Sequence, residues 1–448
     1  MTVRRYFGTD GVRDIANLGN MTPEFAYRLG RAYVLFVLGK GFEKPEIAVG
    51  RDTRRSGNMI EDSLCAGMMS AGADVCRLGV IPTPGVSFVL SHNNFAGGAV
   101  ISASHNPAEY NGIKFLDENG FKLTDEDETA IEDKLLDRGG HPTGEGVGVS
   151  RCGKQYVEEY TEALKKVIGS ISDKTLPLTI DAANGAASAF VEPIFKDWRA
   201  PVCFGANKPD GLNINSGVGV THMDYLCAET VKNGSAAGIA YDGDTDRVQL
   251  CDSKGRTIDG DIILWVVGRW LHKKGTLGSG VTATVMSNME LEDLLAKEGI
   301  KVFRCGVGDR YVLDTMRREG SRLGGEQSGH IIALDYANTG DGLYSGALFL
   351  TAVAELGEDI STLCDRFEKY PQILRNVRIK NRGAVMSSPE VEEASAKAKE
   401  MLGSKGRMLL RPSGTEPLIR IFVESRETEL MHDVADLLEK AILKSMEN

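Results

Sequence analysis

Three aspartates at alternate positions, Asp242, Asp244 and Asp246 in the string DGDTDR, are the sharpest chemical signal in the sequence. They follow an apolar run, Ala236 to Tyr241, so a strand is expected to deliver them to one turn. Carboxylates this close repel one another unless a cation sits among them, and an all-oxygen set favours a hard ion, Mg²⁺ or Ca²⁺. An EF-hand loop also opens with alternating Asp, but it needs Gly at its sixth position and Glu at its twelfth. Arg247 and Ser253 stand there instead, which excludes that loop. Arg247 is placed to offset the acidic charge or to touch a phosphate. On the string alone, a solvated acidic turn is the plain alternative.

Three further strings carry chemistry. In ISASHNP (101–107) a strand brings Ser102 and Ser104 to a polar turn closed by Asn106 and Pro107. The C-terminal end of a strand is where α/β sheets bind ligands. The string is not a G-x-S-x-G elbow, and no His–Asp order suggests an acyl-transfer triad. Lys114, in NGIK, is a candidate proton-transfer group or phosphate contact, against the ordinary reading of a solvated lysine. In RPSGTEP (411–417), Ser413, Gly414 and Thr415 offer consecutive backbone N–H groups for an anion. Arg411 and Arg420 add guanidinium donors suited to phosphate. In GGEQSGH (324–330), Glu326, Ser328 and His330 alternate, so extended backbone would turn them to one side. A carboxylate with a hydroxyl there grips adjacent sugar hydroxyls. Hairpin and edge-strand turns are the plain alternatives for these last two strings.

The elements that must position these groups alternate between helix and strand. A helix from Pro23 to Leu38, a strand from Glu46 to Val49, a helix over 58–70, and strands at 74–78 and 98–102 predict a mostly parallel sheet with flanking helices. The Gly-rich stretch 138–153 reads as a linker. A second α/β unit then runs to the triad. A third, from about residue 252, contains helices at 259–271, 289–297 and 309–318 and strands at 281–284 and 301–304. The last 80 or so residues read strand–helix–strand–strand–helix, a small α+β domain.

Composition narrows the function. The 448 residues carry 52 Lys and Arg against 63 Asp and Glu, a formal charge of −11, with 42% hydrophobic and 26% charged residues. An acidic globular chain is a poor nucleic-acid binder, so no nucleic-acid partner is expected and an anionic substrate needs local cationic clusters. No apolar run is long enough for a membrane span or a secretory leader, so no membrane partner is expected. The eight cysteines lie singly, with no C-x-x-C pair, which fits free thiols in a reducing cytoplasm.

FGTDGVR (7–13), GRDTRRSG (50–57), SASHNP, NGIK, DGDTDR, GGEQSGH and RPSGTEP occur in this order. With them the chain resembles the α-D-phosphohexomutase superfamily along essentially its whole length. FGTDG, DGLNIN (210–215), GVGDRYV (306–312) and Gln327 are most similar to its bacterial branch acting on hexosamine phosphates. Two places depart from the family wording: Asp14, where Gly is usual, and NSGVGVTHMD (215–224). The resemblance implies three α/β domains (1–150, 151–251 and 252–369) and a C-terminal α+β, TBP-like domain (370–448) around a central cleft. It implies an Mg²⁺-dependent isomerase in which Ser104 carries a phosphoryl group and, with Asp242, Asp244 and Asp246, holds the metal. Lys114 and Arg247 are then expected to assist catalysis. Glu326, Ser328 and His330 would hold the sugar, while Arg411, Ser413, Gly414, Thr415 and Arg420 would hold the substrate's own phosphate. Arg13, Arg51, His105 and Asn106, with Arg54, would support the serine loop. The implied reaction interconverts glucosamine 6-phosphate and glucosamine 1-phosphate through glucosamine 1,6-bisphosphate, and a homodimer is compatible with it. A glucose- or mannose-phosphate mutase is the alternative within the superfamily, and a non-catalytic sugar-phosphate binder the alternative outside it.

Overall fold

The computed structural model describes residues 4–8, 10–137, 141–171, 175–379, 385–412 and 417–446. Fully buried apolar runs such as GGAVI and AGIAY become central strands, because both faces of a parallel sheet are covered by helices. The first sheet contains β1 (Val12–Ile15), β2 (Glu46–Arg51), β3 (Asp74–Val80), β4 (Gly97–Ile101), β5 (Tyr110–Leu116) and β6 (Ser150–Cys152), in the order β1-β5-β4-β2-β3-β6. From β4 to β6 the neighbours are parallel; β5 and β1 add antiparallel strands at one edge. The second sheet orders β7 (Leu178–Asp181), β8 (Val202–Gly205), β9 (Ala237–Tyr241), β10 (Val248–Asp252) and β11 (Thr257–Ile258) as β11-β10-β9-β7-β8. The third orders β12 (Val281–Thr284), β13 (Val302–Cys305), β14 (Leu323–Gly325) and β15 (Ile331–Ala333) as β13-β12-β14-β15. The fourth places β18 (Leu418–Ser425) between β16 (Gln372–Arg378) and β17 (Gly406–Pro412), all antiparallel.

The expected rhythm is present, with corrections. The helix expected from Pro23 spans Pro23–Gly39, opened by Thr22, whose hydroxyl accepts the Phe25 N–H, and by proline in its first turn. The helix expected from 259 spans Gly260–Lys274, with Asp259 as N-cap and a left-handed Gly275 at its end. Strands β1 and β5 and the helix Thr83–His92 lie where no element was expected. The stretch read as a linker ends in β6, which pairs with β3, so the first sheet reaches Cys152. Strand β11 pairs with β10, so the second sheet reaches Ile258 and not 251.

The chain divides into two compact units, Met1–Ser287 with Leu295–Arg366, and Asn288–Leu294 with Phe367–Asn448. The second unit therefore takes most of the helix Met289–Ala296 away from the third sheet. The Asn288 side chain exchanges two hydrogen bonds with the Tyr370 backbone, each 3.0 Å, and the Met289 N–H donates to Glu424. No helix among the described residues is long and apolar enough to cross a membrane.

Within the larger unit, the Tyr160 hydroxyl donates to Asp341 Oδ2 at 2.7 Å, joining the helix Lys154–Ser170 to the N-cap of the helix Gly342–Leu356. Burial pushes the Asp341 carboxyl up to about 6. A carboxyl raised in the folded state favours folding when protonated, and that advantage fades as pH rises through its folded value. Asp341→Asn retains an N-capping side chain and never ionises. It should therefore gain roughly 3 kcal/mol over the natural chain at about pH 8 and nothing below about pH 4, read from urea unfolding across that range. A gap that does not change with pH would contradict this.

Candidate active site

Four loops, each leaving the C-terminal end of a strand, bring the chemically active side chains together in the larger unit. They follow β2, β4, β9 and β14, the end of the sheet where α/β folds bind ligands.

Ser104 follows β4 and is buried, with a left-handed φ of +52°. Its N–H donates to Ser102 Oγ at 2.9 Å, and the Ser102 hydroxyl donates to Asp52 at 2.6 Å. The Ser104 hydroxyl donates to Asp242 Oδ2 at 2.8 Å. Arg54, with no exposed side-chain surface, pairs with Asp52 at 2.9 Å and donates to the carbonyls of Ser104, Asn106, Pro107 and Tyr110. Arg51 is a correction. Its guanidinium turns to Glu61 on the helix Gly57–Ser70, at 2.9 Å, and Arg54 is the arginine that reaches the serine loop. Arg13 pairs with Asp10. The His105 imidazole lies 3.4 Å from both Ser104 Oγ and Arg247 Nη1. Burial, then Arg247 and Arg13, lower the affinity of His105 for a proton.

Asp242, Asp244 and Asp246 are all buried, and each offers a carboxylate oxygen within 4.8 Å of the others. Buried Oδ1 atoms of Asp244 and Asp246 have no hydrogen-bond partner among the described residues. These orphaned hard oxygens fit a divalent cation. Burial and the charges of Asp246 and Asp244 push the Asp242 carboxyl well above the usual carboxylate range. Burial alone would also raise Asp246, but His330, Lys114 and Arg247 outweigh it and hold Asp246 well below that range.

Lys114 sits in mid-strand on β5 and is buried, which excludes the plain alternative of a solvated lysine. Its ammonium lies 2.9 Å from both Asp244 and Asp10. Desolvation would lower its pKa; Asp10 and Asp244 together raise it. Asp10 also takes Lys122 at 2.7 Å, Lys122 pairs with Asp309, and His330 lies 3.9 Å from Asp309 and 3.7 Å from Asp246. Charges of alternating sign thus run from Asp244 through Lys114, Asp10 and Lys122 to Asp309, and the His330 imidazole lies between Asp309 and Asp246. Burial would raise Asp10, but its three cations, Lys114 foremost, hold it well below the carboxylate range.

The GGEQSGH string does not keep Glu326, Ser328 and His330 on one extended face. Residues 326–330 form a turn between β14 and β15, closed by the Gly329 N–H on the Glu326 carbonyl, with Gly329 at φ +94°. Glu326 Oε1 accepts the Gly308 N–H at 3.1 Å. The His330 ring is buried, and its Nε2 accepts the Gly340 N–H at 3.1 Å, which leaves Nδ1 toward Asp246. In the smaller unit, Arg411 on β17 lies directly opposite Arg420 on β18. Ser413, Gly414 and Thr415 lie outside the described residues.

Comparison with known proteins gives the family and the fold. Four domain descriptions of phosphoglucomutase/phosphomannomutase match in order: alpha/beta/alpha domain I over 4–139, II over 154–255, III over 259–370 and the C-terminal domain over 374–441. The phosphoglucosamine mutase of Oceanobacillus iheyensis is 44% identical, over 98% of each chain, and that of Bacillus subtilis 41%, over 99% of each. The chain belongs to the phosphoglucomutase/phosphomannomutase family. Solved structures share the fold. A phosphoglucomutase/phosphomannomutase family protein from Burkholderia thailandensis superposes with a TM-score of 0.83 at 23% identity, over 99% of this chain and 98% of that one. The N-acetylphosphoglucosamine mutase of Aspergillus fumigatus, solved with GlcNAc-6P and magnesium, gives 0.69 at 16% identity, over 99% and 96%.

Asp10 and Lys122, linked to Lys114, and Asn215, whose Nδ2 donates to the Ser104 carbonyl, border the candidate site without having been expected there. Asp10 lay inside FGTDG and Asn215 inside DGLNIN, strings used only as markers; Lys122 lies in no motif. Lys122 joins Asp10, in the loop before β1, to Asp309, at the start of the helix Asp309–Glu319. Lys122→Met should cost about 3 kcal/mol by leaving Asp10 and Asp309 less compensated. Adding Asp309→Asn should restore part of that loss in a double-mutant cycle followed by urea unfolding. Strict additivity of the two substitutions would show that the pair is not coupled.

Proposed function

We propose that the chain interconverts glucosamine 6-phosphate and glucosamine 1-phosphate by two phosphoryl transfers through Ser104, with glucosamine 1,6-bisphosphate between them. The observation that carries the reading is the Ser104 hydroxyl at 2.8 Å from Asp242, a nucleophile held against a buried acidic triad. Full-length relatives at 41–44% identity named phosphoglucosamine mutase support the choice of sugar.

In the first transfer the bond from phosphorus to Ser104 Oγ breaks as a bond forms to the free hydroxyl oxygen of the sugar, and the proton of that hydroxyl passes in net to Ser104 Oγ, which becomes a free hydroxyl; the second transfer moves a proton the opposite way. The bisphosphate then reverses its orientation. Ser104 Oγ next attacks the other phosphorus, regains the phosphoryl group and releases the isomeric monophosphate. Asp242, Asp244, Asp246 and the Ser104 phosphate would hold Mg²⁺, whose chemistry there is to neutralise phosphoryl oxygens.

The remaining work is alignment and charge placement by the chain's own groups. Lys114 holds a positive charge and a proton beside Asp244. Arg247, beside Asp242 and Asp246, assists with phosphoryl charge, and His105 and Asn106 complete the serine loop. Glu326 spends one oxygen on the Gly308 N–H and offers the other, with the Ser328 hydroxyl, to adjacent sugar hydroxyls. His330 sets that turn against the triad. Arg411 and Arg420, with Ser413, Gly414 and Thr415, receive the phosphate that is not reacting. In this reading the serine, metal, sugar and phosphate loops belong to four successive domains.

Ser104→Ala should lower kcat for glucosamine 6-phosphate isomerisation by at least about a thousandfold and remove the phosphoryl mass from the intact protein. Turnover at the natural rate would overturn the proposal. Asp244→Asn should weaken Mg²⁺ activation by more than about tenfold, measured by metal titration of the rate. Comparing kcat/KM for glucosamine, glucose and mannose phosphates tests the sugar; a preference for glucose or mannose phosphate would reject glucosamine.

A further inference from the structure

Resting on the assignment of Ser104 as the transfer group, we propose that Asn215 and Arg54 form a two-sided carbonyl clamp that positions the transfer serine, with Asn215 as its member from the second sheet.

Both side chains converge on the same two atoms. Arg54 donates to the carbonyl oxygens of Ser104 and Asn106 at 2.9 and 2.8 Å. Asn215 Nδ2 donates to those two oxygens at 2.8 and 3.0 Å. Because both atoms facing it are acceptors, the nitrogen end of the Asn215 amide must point at them. Arg54 comes from the loop after β2, in the first sheet. Asn215 lies between β8 and the helix Met223–Lys232, so it reaches the serine loop from the side that also supplies the metal loop.

The surroundings fix the clamp. Asn215 is buried at φ +58°, and its N–H donates to the Ala183 carbonyl at 2.9 Å. The Gly211 carbonyl, in the same DGLNIN string, accepts the Arg55 N–H at 2.9 Å, tying the two clamp loops to each other. Gly243, between the first two aspartates of the triad, packs directly onto the clamp. A Cβ there would lie 2.6 Å from the Ser104 carbonyl oxygen and 2.9 Å from Asn215 Nδ2. One amide thus registers the left-handed serine turn against the loop that carries Asp242. Phosphoryl transfer depends on in-line alignment, and a misplacement near 1 Å costs about a hundredfold in rate. Asn215 touches neither sugar nor metal in this account; it is a positioning residue.

Two variants separate positioning from filling space. Asn215→Gly tolerates the positive φ and deletes both donors. Asn215→Asp keeps the volume but sets a carboxylate oxygen against two carbonyl oxygens. Both are expected to fold, by circular dichroism and thermal unfolding, with kcat lowered by about ten- to a hundredfold and KM for glucosamine 6-phosphate within about twofold of the natural chain. Asp is expected to be the more severe. Uptake of a phosphoryl group by Ser104 from glucose 1,6-bisphosphate, followed by intact mass, should slow in parallel. Unchanged kcat, a change confined to KM, a mild Asp variant beside a severe Gly variant, or failure of both to fold would each overturn the clamp. Absence of phosphoryl uptake by the natural chain would instead defeat the reading of Ser104 itself.

Discussion

Mutual repulsion among three buried carboxylates is the constraint on which the larger unit depends. With oxygens within 4.8 Å, each charged pair opposes folding by roughly 3–4 kcal/mol at an effective dielectric of about 20. Three such pairs would rival the whole net stability of a typical domain, about 5–15 kcal/mol. The chain answers with Lys114 from β5 against Asp244, Arg247 on the same loop beside Asp246, and the His330 imidazole from the turn before β15, 3.7 Å from Asp246. Burial and the two neighbouring carboxylates raise the Asp242 carboxyl, the direction that eases this repulsion, and a bound cation would ease it further.

Backbone contact sets the positions of these charges. A Cβ on Gly329 would lie 2.0 Å from the Val248 carbonyl oxygen, and one on Gly260 would lie 1.9 Å from that of Glu326. The turn 326–330 therefore docks backbone to backbone on the strand that follows the triad, without the slack that side chains allow. The same holds where Gly243 meets the serine turn. Loops from three sheets are registered against one another by main-chain atoms, and their side chains are left to bear charge.

The sequence disclosed what is local and left hidden what crosses between sheets. DGDTDR displays its chemistry in six consecutive residues, and the buried triad is where the pattern put it. Central strands such as β4 and β9 were legible because apolar runs bounded by polar turns have few alternatives. Strand β5 was not, since YNGIKFL carries an Asn-Gly turn signal and a lysine, and it is strand only because β1 and β4 flank it. RLGGEQSGHII reads as strand, loop, strand, and that is what forms; the shared face of Glu326, Ser328 and His330 does not, because Gly329 takes a positive φ inside the loop. Arg54 and Arg51 look alike in GRDTRRSG. Only the fold shows that Arg51 ends a strand facing Glu61 while Arg54 turns into the serine loop.

The smaller unit sets two arginines side by side: Arg411 and Arg420 stand directly opposite on neighbouring strands. They lie on the face of the sheet away from its apolar core, which Ile419, Ile421 and Val423 form with the helices Pro389–Leu402 and Thr428–Ser445. Paired guanidiniums of this kind match an anionic group bidentately, as the hard carboxylate oxygens of the larger unit match a divalent cation.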